Sequence, residues 1–460
     1  MPVPHPQLAS SVRPLVPLLA SNPQGERSPM TTLTRRQFLS TTATAAGVVA
    51  APHAWIRPAW AQAKEVRVLA WTHFVPAYDK WFDAFAEQFS TKHNVRVIID
   101  HVPHLQIPAK IAAEIATQSG HDIVQLVGSG TEKWAAALQD VQDLADKLGK
   151  KYGGFTPLAE NYCKTADGKF HSIPDFFIDF PGLFRKDLWT EHAGMPNGPD
   201  SWEDLRTGGA KLKAKGFPIG IGLAHHDDSR ASWRAIMWSY GAAEVAKDGK
   251  TLTWNSKEVR EALKFNKALY KEAMTPEVLA WDDACNNRLL ASGRGSWIHN
   301  PISAYRSIEG QNKELADKIF VQLSPKGPAA RRSFANCRAY GITKFSKNAD
   351  GAKAFLEALV DNYREGAKAS TGYNMPFMKA LAKPPLPIIS DDPKLKPLEQ
   401  DAEYHFTTGY PGPLTPAADE VYQQFVMVDA LAQFCVDKMD LEQAVKWGEE
   451  KIKSVYAKFA

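Results

Sequence analysis

The chain has 460 residues, 44% hydrophobic and 23% charged, an ordinary globular balance that excludes wholesale disorder. Its 55 Lys and Arg against 51 Asp and Glu leave a formal charge of +4, too small an excess to indicate a nucleic-acid grip. No apolar run approaches the roughly 20 residues of a membrane span, and the length points to two or three domains.

The first element is an address. Thr34 to Leu39 read TRRQFL, a tandem Arg pair ahead of a short, weakly apolar stretch from Phe38 to Ala51. That stretch is too short and too polar to stay in a membrane. Small residues at Ala61-Gln62-Ala63 form a cleavage site, and the whole resembles a twin-arginine export signal. The Pro-rich residues before Met30 have no helical period, so Met30 is the expected start of translation. Residues 1–63 are then a leader, and Lys64 to Ala460 the working protein, in the periplasm. The leader takes with it five basic groups (Arg13, Arg27, Arg35, Arg36, Arg57) and one acid (Glu26), which cancels the net charge.

Beyond the leader, strand and helix patterns alternate. Val66 to Trp71 (VRVLAW) is a buried-strand run, and Trp81, Phe82, Phe85 and Phe89 follow at helical spacing. Asn94 to Val102 is a second β-branched run, Ile107 to Gln118 a second helix, and His121 to Gly128 a third strand ending in Gly128-Ser129-Gly130. Such alternation predicts a parallel sheet with right-handed crossovers, and ligands then gather beyond the carboxyl ends of the strands. After Pro174 the pattern restarts. DFFIDFPGLFRKDLW reads as a strand entering a helix, SWEDLRTGGAKLKAKG as a helix, FPIGIGLA (Phe217 to Ala224) as a strand, and Val259, Leu263 and Leu269 mark one face of another helix. Pro384 to Pro397 reads as a linker, and Asp440 with Gln443 forms a capping box opening a final helix. The four cysteines, Cys163, Cys285, Cys337 and Cys435, form no C-x-x-C, and buried free thiols are expected.

Four further stretches carry a family resemblance: LFRKDLWTEHAGMP (Leu183 to Pro196) with SWEDL, RLLASGRGSWIHNP (Arg288 to Pro301), RAYGITKFSKNADGAKAFLEALV (Arg338 to Val360), and the closing TPAADEV and LEQAVKWGEEKI. In this order they resemble the periplasmic solute-binding receptors of ABC importers, specifically the maltose-binding-like carbohydrate group, over essentially all of Glu65 to Phe459. The resemblance implies an α/β, two-lobed periplasmic-binding-protein fold with the ligand in the cleft. Residues 64–173 and 340–385 would form lobe one, and 174–339 and 386–460 lobe two. It also implies a monomer without a cofactor or metal that delivers a sugar, oligosaccharide or polyol to permease subunits in the membrane.

A sugar needs flat aromatic platforms for its C–H faces and fixed polar groups for its hydroxyls. Trp71, His73 and Phe74, at the end of the first strand, supply both kinds, although Trp71 also suits the core. Gly128 and Ser129 offer a tight turn with bare N–H groups. Asp175 and Asp179 follow the first crossing, and His225, His226 and Asp227 end the strand FPIGIGLA. Adjacent histidines point opposite ways on extended chain, so hydrogen bonding to ligand is favoured there over a metal. Trp281, Trp297, His299, Asn300 and Tyr373 match cleft-facing stretches of the family, while Trp233 suits the core and Trp297, inside its strand, suits it too. Arg338 suggests an anionic group on the ligand or, alternatively, a salt bridge to Asp175 or Asp179. A secreted carbohydrate enzyme is the competing class. Asp227-Asp228 or Asp282-Asp283 would be its acids, but H-E-x-x-H, G-x-S-x-G and dinucleotide loops are absent. A metal or anionic-solute receptor is the third reading.

Overall fold

The computed structural model describes residues 64–128 and 130–459; the expected export signal and Ser129 lie outside them. Eleven strands are named here in chain order: β1 (Lys64–Trp71), β2 (Val95–Val102), β3 (Ile123–Val127), β4 (Ile173–Ile178), β5 (Gly182–Arg185), β6 (Ile219–Gly220), β7 (Trp297–His299), β8 (Ile319–Gln322), β9 (Ser333–Phe334), β10 (Asn336–Ile342) and β11 (His405–Phe406). The first sheet has the order β2-β1-β3-β10-β4 and the second β6-β7-β5-β8, while β11 and β9 form a separate short ribbon.

The first three strands pair in parallel as expected, whereas β10 runs antiparallel between β3 and β4. All five residues of β3 are buried, and four are apolar, since a strand covered on both faces has no polar alternation; the fifth, Gln125, accepts from the Trp71 N–H and donates to Asp175. Helix Pro76–His93 turns Phe82, Phe85 and Phe89 inward and ends at Asn94, whose φ of 51° is a left-handed cap.

Two expected elements differ. DFFIDFPGLF is two strands in different sheets, because Asp179-Phe180-Pro181 breaks it between β4 and β5. Pro181 has no N–H to continue a ladder. In FPIGIGLA only Ile219–Gly220 pairs as strand, and the rest runs on to helix Asp227–Ser239. The Pro-rich stretch is not an open linker: Leu386, Ile389 and Leu395 within it are buried in the first core cluster. That cluster takes in β1–β4, β10 and helix Ala349–Asp361 and continues onto Ile298 and Val321 of the second sheet and Tyr305 of helix Ser303–Gln311. A second cluster joins Trp189, Trp202, Trp233, Trp254 and Trp297 to the closing helices through Val421, Leu431, Val445 and Ile452. The capping box of Asp440 with Gln443 is formed. All four cysteines are free thiols, with Cys163, Cys337 and Cys435 buried.

Trp297 is fully buried on β7, edge-on to Trp202 at 6.0 Å and parallel to His299 at 5.8 Å. It is core, not a cleft platform. Trp297→Ala is expected to cost about 3–5 kcal/mol of unfolding free energy, measured by urea denaturation. A cost below about 1 kcal/mol would contradict its core role.

Candidate functional site

A cavity of about 310 Å³ lies where strand ends of the two sheets converge. The first sheet contributes Phe74 beyond β1, His104 beyond β2, Ile178 at the end of β4, and Asn336 and Arg338 on β10, while Asn300 and Pro301 follow β7 of the second. The first turn of helix Asp227–Ser239 adds Asp227 and Asp228, and Asp283 and Tyr373 complete the polar wall. Carboxyl ends of β1, β2 and β7 thus face one space, as the strand-end rule requires.

The acidic side is built on a helix start. His226 caps it, its Nδ1 accepting from the Ser229 N–H, and Asp227 and Asp228 occupy the first turn, where the helix dipole favours negative charge. Arg230, one turn on, bonds Asp227 and donates to Gln423 at 2.9 Å. Asn286 Nδ2 donates to Asp228 at 2.7 Å and to Asn300 Oδ1 at 2.8 Å. The Asp228 N–H donates to Asp283, whose carboxylate also lies 3.3 Å from His226. Burial, and then the charge of Asp283, push the Asp228 carboxyl well above the ordinary carboxylate range. Burial works to raise Asp283 too, but the His226 ring and the Asp228 N–H bring it below its usual value.

The opposite side is basic and aromatic. Arg338, 1% exposed, lies over the Trp71 ring at 4.7 Å. Its Nη1 donates to Asn336 Oδ1 at 2.6 Å and to the Cys337 carbonyl at 2.9 Å. The β10–β4 register shifts between Arg338 and Ala339, an irregularity of the kind that re-aims a side chain. Phe74 stands edge-on to Trp71 and His104 and is 52% exposed, a ring face open at the mouth. Burial, with the charge of Arg338, lowers His104 to about 4.

His104, Asp227 and Asp283 offer one ligand atom each, all within 4.8 Å of one another, a donor set that suits a divalent ion. Asp227 also pairs with Arg230, and Asp283 with His226 and the Asp228 N–H.

Of the residues expected from sequence, Phe74, Asp227, Asn300, Arg338 and Tyr373 line the cavity. Trp71 and His226 are one layer back: Trp71 carries Arg338 and Phe74, and His226 holds Asp283. The others are elsewhere. His73 is buried, bonded through Nε2 to Asn374 Oδ1 at 2.9 Å, and burial lowers it to about 4. His299 is buried between Ser232 and Ser324. His225 is exposed on Asp429 and stacked on Phe425. Trp281 packs on the second core cluster. Gly128 and the buried Asp179 are not on the cavity lining, and Asp175 accepts from Gln125 at 3.2 Å behind it. The salt bridge offered for Arg338 with Asp175 is not formed, although Asp175 feels the arginine's charge. Sequence reasoning missed His104 as a site residue, although the strand-end rule that selected Phe74 applies equally to the residue two beyond β2. Asp228 and Asp283 were visible only as doubled acids.

Two sheets with strand ends around one small polar cavity define a ligand-binding protein of the maltose-binding-like periplasmic fold. Maltose-bound MalE3 of T. maritima superposes with a TM-score of 0.73 at 19% identity, covering 85% of this chain and all of that one. The chain belongs to the bacterial extracellular solute-binding protein family, whose pattern matches residues 84–397. A binding protein of Brucella abortus (strain 2308) is 30% identical over 230 residues, 47% of this chain. The chain spans about half of that relative's length, 53%. The galactooligosaccharide-binding protein of Bacillus subtilis (strain 168) is 23% identical over 79% of this chain and 84% of its own length.

Burial raises the Asp175 carboxyl to about 8. Between the unfolded value near 3.8 and about 8 the folded state therefore binds more protons than the unfolded one, and stability falls as pH rises. Asp175→Asn is expected to remove this slope, its advantage over wild type growing from pH 4 to pH 8 in denaturant titrations. Parallel profiles for the two proteins would refute the assignment.

Proposed function

We propose that this protein is the substrate-binding receptor of an ABC importer, capturing a sugar, short oligosaccharide or polyol in the cavity and delivering it to the membrane permease without chemical change. We infer two lobes, with residues 64–173 and 340–385 in the first and 174–339 and 386–460 in the second. The strands β4 and β10 run across these limits. Closure of such lobes about a hinge is an established mode of ligand capture. The protein would act as a monomer in the periplasm, reached by the twin-arginine route that Arg35 and Arg36 suggest.

The observation that carries the reading is the composition of the cavity wall. The cavity lining brings one half-exposed phenyl ring, Phe74, together with the hydrogen-bonding groups of Asp227, Asp283, Asn287 and Asn300, matching the apolar face and hydroxyl rim of a pyranose or polyol. The volume of about 310 Å³ lies at the small end of ligand pockets and favours one or two sugar units. The match to a solute-binding family favours binding over catalysis.

Thermal-shift screening of the purified protein against monosaccharides, disaccharides and polyols tests the reading, because a ligand that binds only the folded state raises Tm. A carbohydrate that raises Tm and is recovered unchanged supports it; recovery of cleaved or oxidised product overturns it. Phe74→Ala is expected to weaken binding of that carbohydrate about 10-fold, the upper range for one aromatic contact, with Tm of the free protein nearly unchanged. Wild-type affinity in Phe74→Ala would remove the ring from the site.

A further inference from the structure

Among the described residues Arg338 is a buried cation with no carboxylate in ion-pair contact. Nη1 is occupied by Asn336 and the Cys337 carbonyl, both uncharged, and Nε is buried without a hydrogen-bond partner. Nη2 makes no hydrogen bond among the described residues, so one whole edge of the guanidinium is unused. The Trp71 ring, 4.7 Å from its Cζ, offers only the ring's weak attraction for a cation. A buried charge is ordinarily paired, because desolvating it otherwise costs several kcal/mol. Every other arginine nine-tenths buried obeys this: Arg185 meets Asp187, Arg230 meets Asp227 and Arg234 meets Glu244. Arg338 is the exception, and it is the one of these four on the cavity lining.

We propose that the ligand is a sugar acid whose carboxylate pairs with Arg338 while its hydroxyls meet Asp227, Asp283 and Asn300 at the other end; this rests on the carbohydrate-receptor reading above. Nη2–H, the donor left over on the cavity side, can give a charge-assisted hydrogen bond to a ligand carboxylate. A phosphate dianion fits less well, because the cavity supplies a single unpaired arginine and carries Asp227, Asp228 and Asp283 on its far wall. The wall is therefore bipolar and orients the ligand, with acid to β10 and polyol to the helix start at Asp227.

Paired titration calorimetry tests this with skeleton-matched probes: gluconate against glucitol, galactonate against galactitol, glucuronate and glucose 6-phosphate against glucose. In at least one pair the carboxylate is expected to bind about 10-fold tighter than its neutral partner, the scale of one charge-assisted hydrogen bond. In Arg338→Gln that preference should shrink to about 2-fold or less, and Arg338→Lys should retain part of it because a point charge remains. The wild-type pairs decide the matter even if a variant fails to fold. Neutral probes binding as tightly as their acids in every pair would overturn the sugar-acid assignment and leave the receptor reading standing. Preference for the phosphate over the glucuronate would overturn the carboxylate in favour of a phosphorylated sugar. Failure of every probe, charged and neutral, would overturn both readings together.

Discussion

Three residues, Asp179-Phe180-Pro181, set the geometry on which the site depends. They take the chain from β4 in the first sheet directly into β5 in the second, so the two sheets cannot be far apart or freely oriented. So short a passage leaves backbone polar groups inside the molecule, and each needs a partner. The Phe180 N–H donates to His405 at 3.3 Å, the Phe180 carbonyl accepts from Ser333 at 3.0 Å, and the Pro181 carbonyl accepts from the Asn300 N–H at 3.1 Å. The last bond ties the passage to the cavity, because Asn300 also presents its side chain there. The partners come from β7, β9 and β11, so pieces remote in sequence brace one crossing.

From that constraint follows the uneven distribution of charge. The acids at the cavity cluster around the start of helix Asp227–Ser239 and the nearby Asp283, where the helix dipole and backbone N–H groups hold negative charge cheaply. The cation comes from β10, a strand paired on both sides within the first sheet. Arg338 is thus fixed by a sheet, and the acids by a helix and a loop. Any relative motion of the two sheets would change the separation between opposite charges, which gives a ligand bridging them a direct hold on that motion.

The strands of the first sheet were readable in sequence because their runs of β-branched and apolar residues are long, as in Val95–Val102 at its edge, and because Phe82, Phe85 and Phe89 repeat with a helix's period. β10 was harder to place: its local pattern says strand but not direction, and only its partners β3 and β4 make it antiparallel. FPIGIGLA misled for the opposite reason. Its composition suits a strand, yet only Ile219–Gly220 finds a neighbour on β7. In the site, position relative to a strand end carried real information, finding Phe74, Asp227 and Asn300. Residue type carried less. His73, His299 and Trp297 have the chemistry of a sugar site and are buried among neighbours that satisfy or pack them. His104 has the position and went unnoticed, since a single histidine after a strand is distinctive only once the opposing Asp227 is seen 3.3 Å away.

The aromatic abundance of the chain resolves along the same line. Trp189, Trp202, Trp233, Trp254 and Trp297 serve one core cluster, filling space around short strands that bury little area by themselves. Trp71 does something different at the boundary between core and cavity. Its ring is buried, with Phe74 edge-on to it and the Arg338 guanidinium over it. An apolar platform there costs the ligand nothing in direct contact, yet it meets the cation and the exposed ring together. Replacing Trp71 would therefore disturb charge and stacking at once, whereas replacing Phe74 or Arg338 disturbs one of them. The side chain with the most influence on the cavity is one that does not line it.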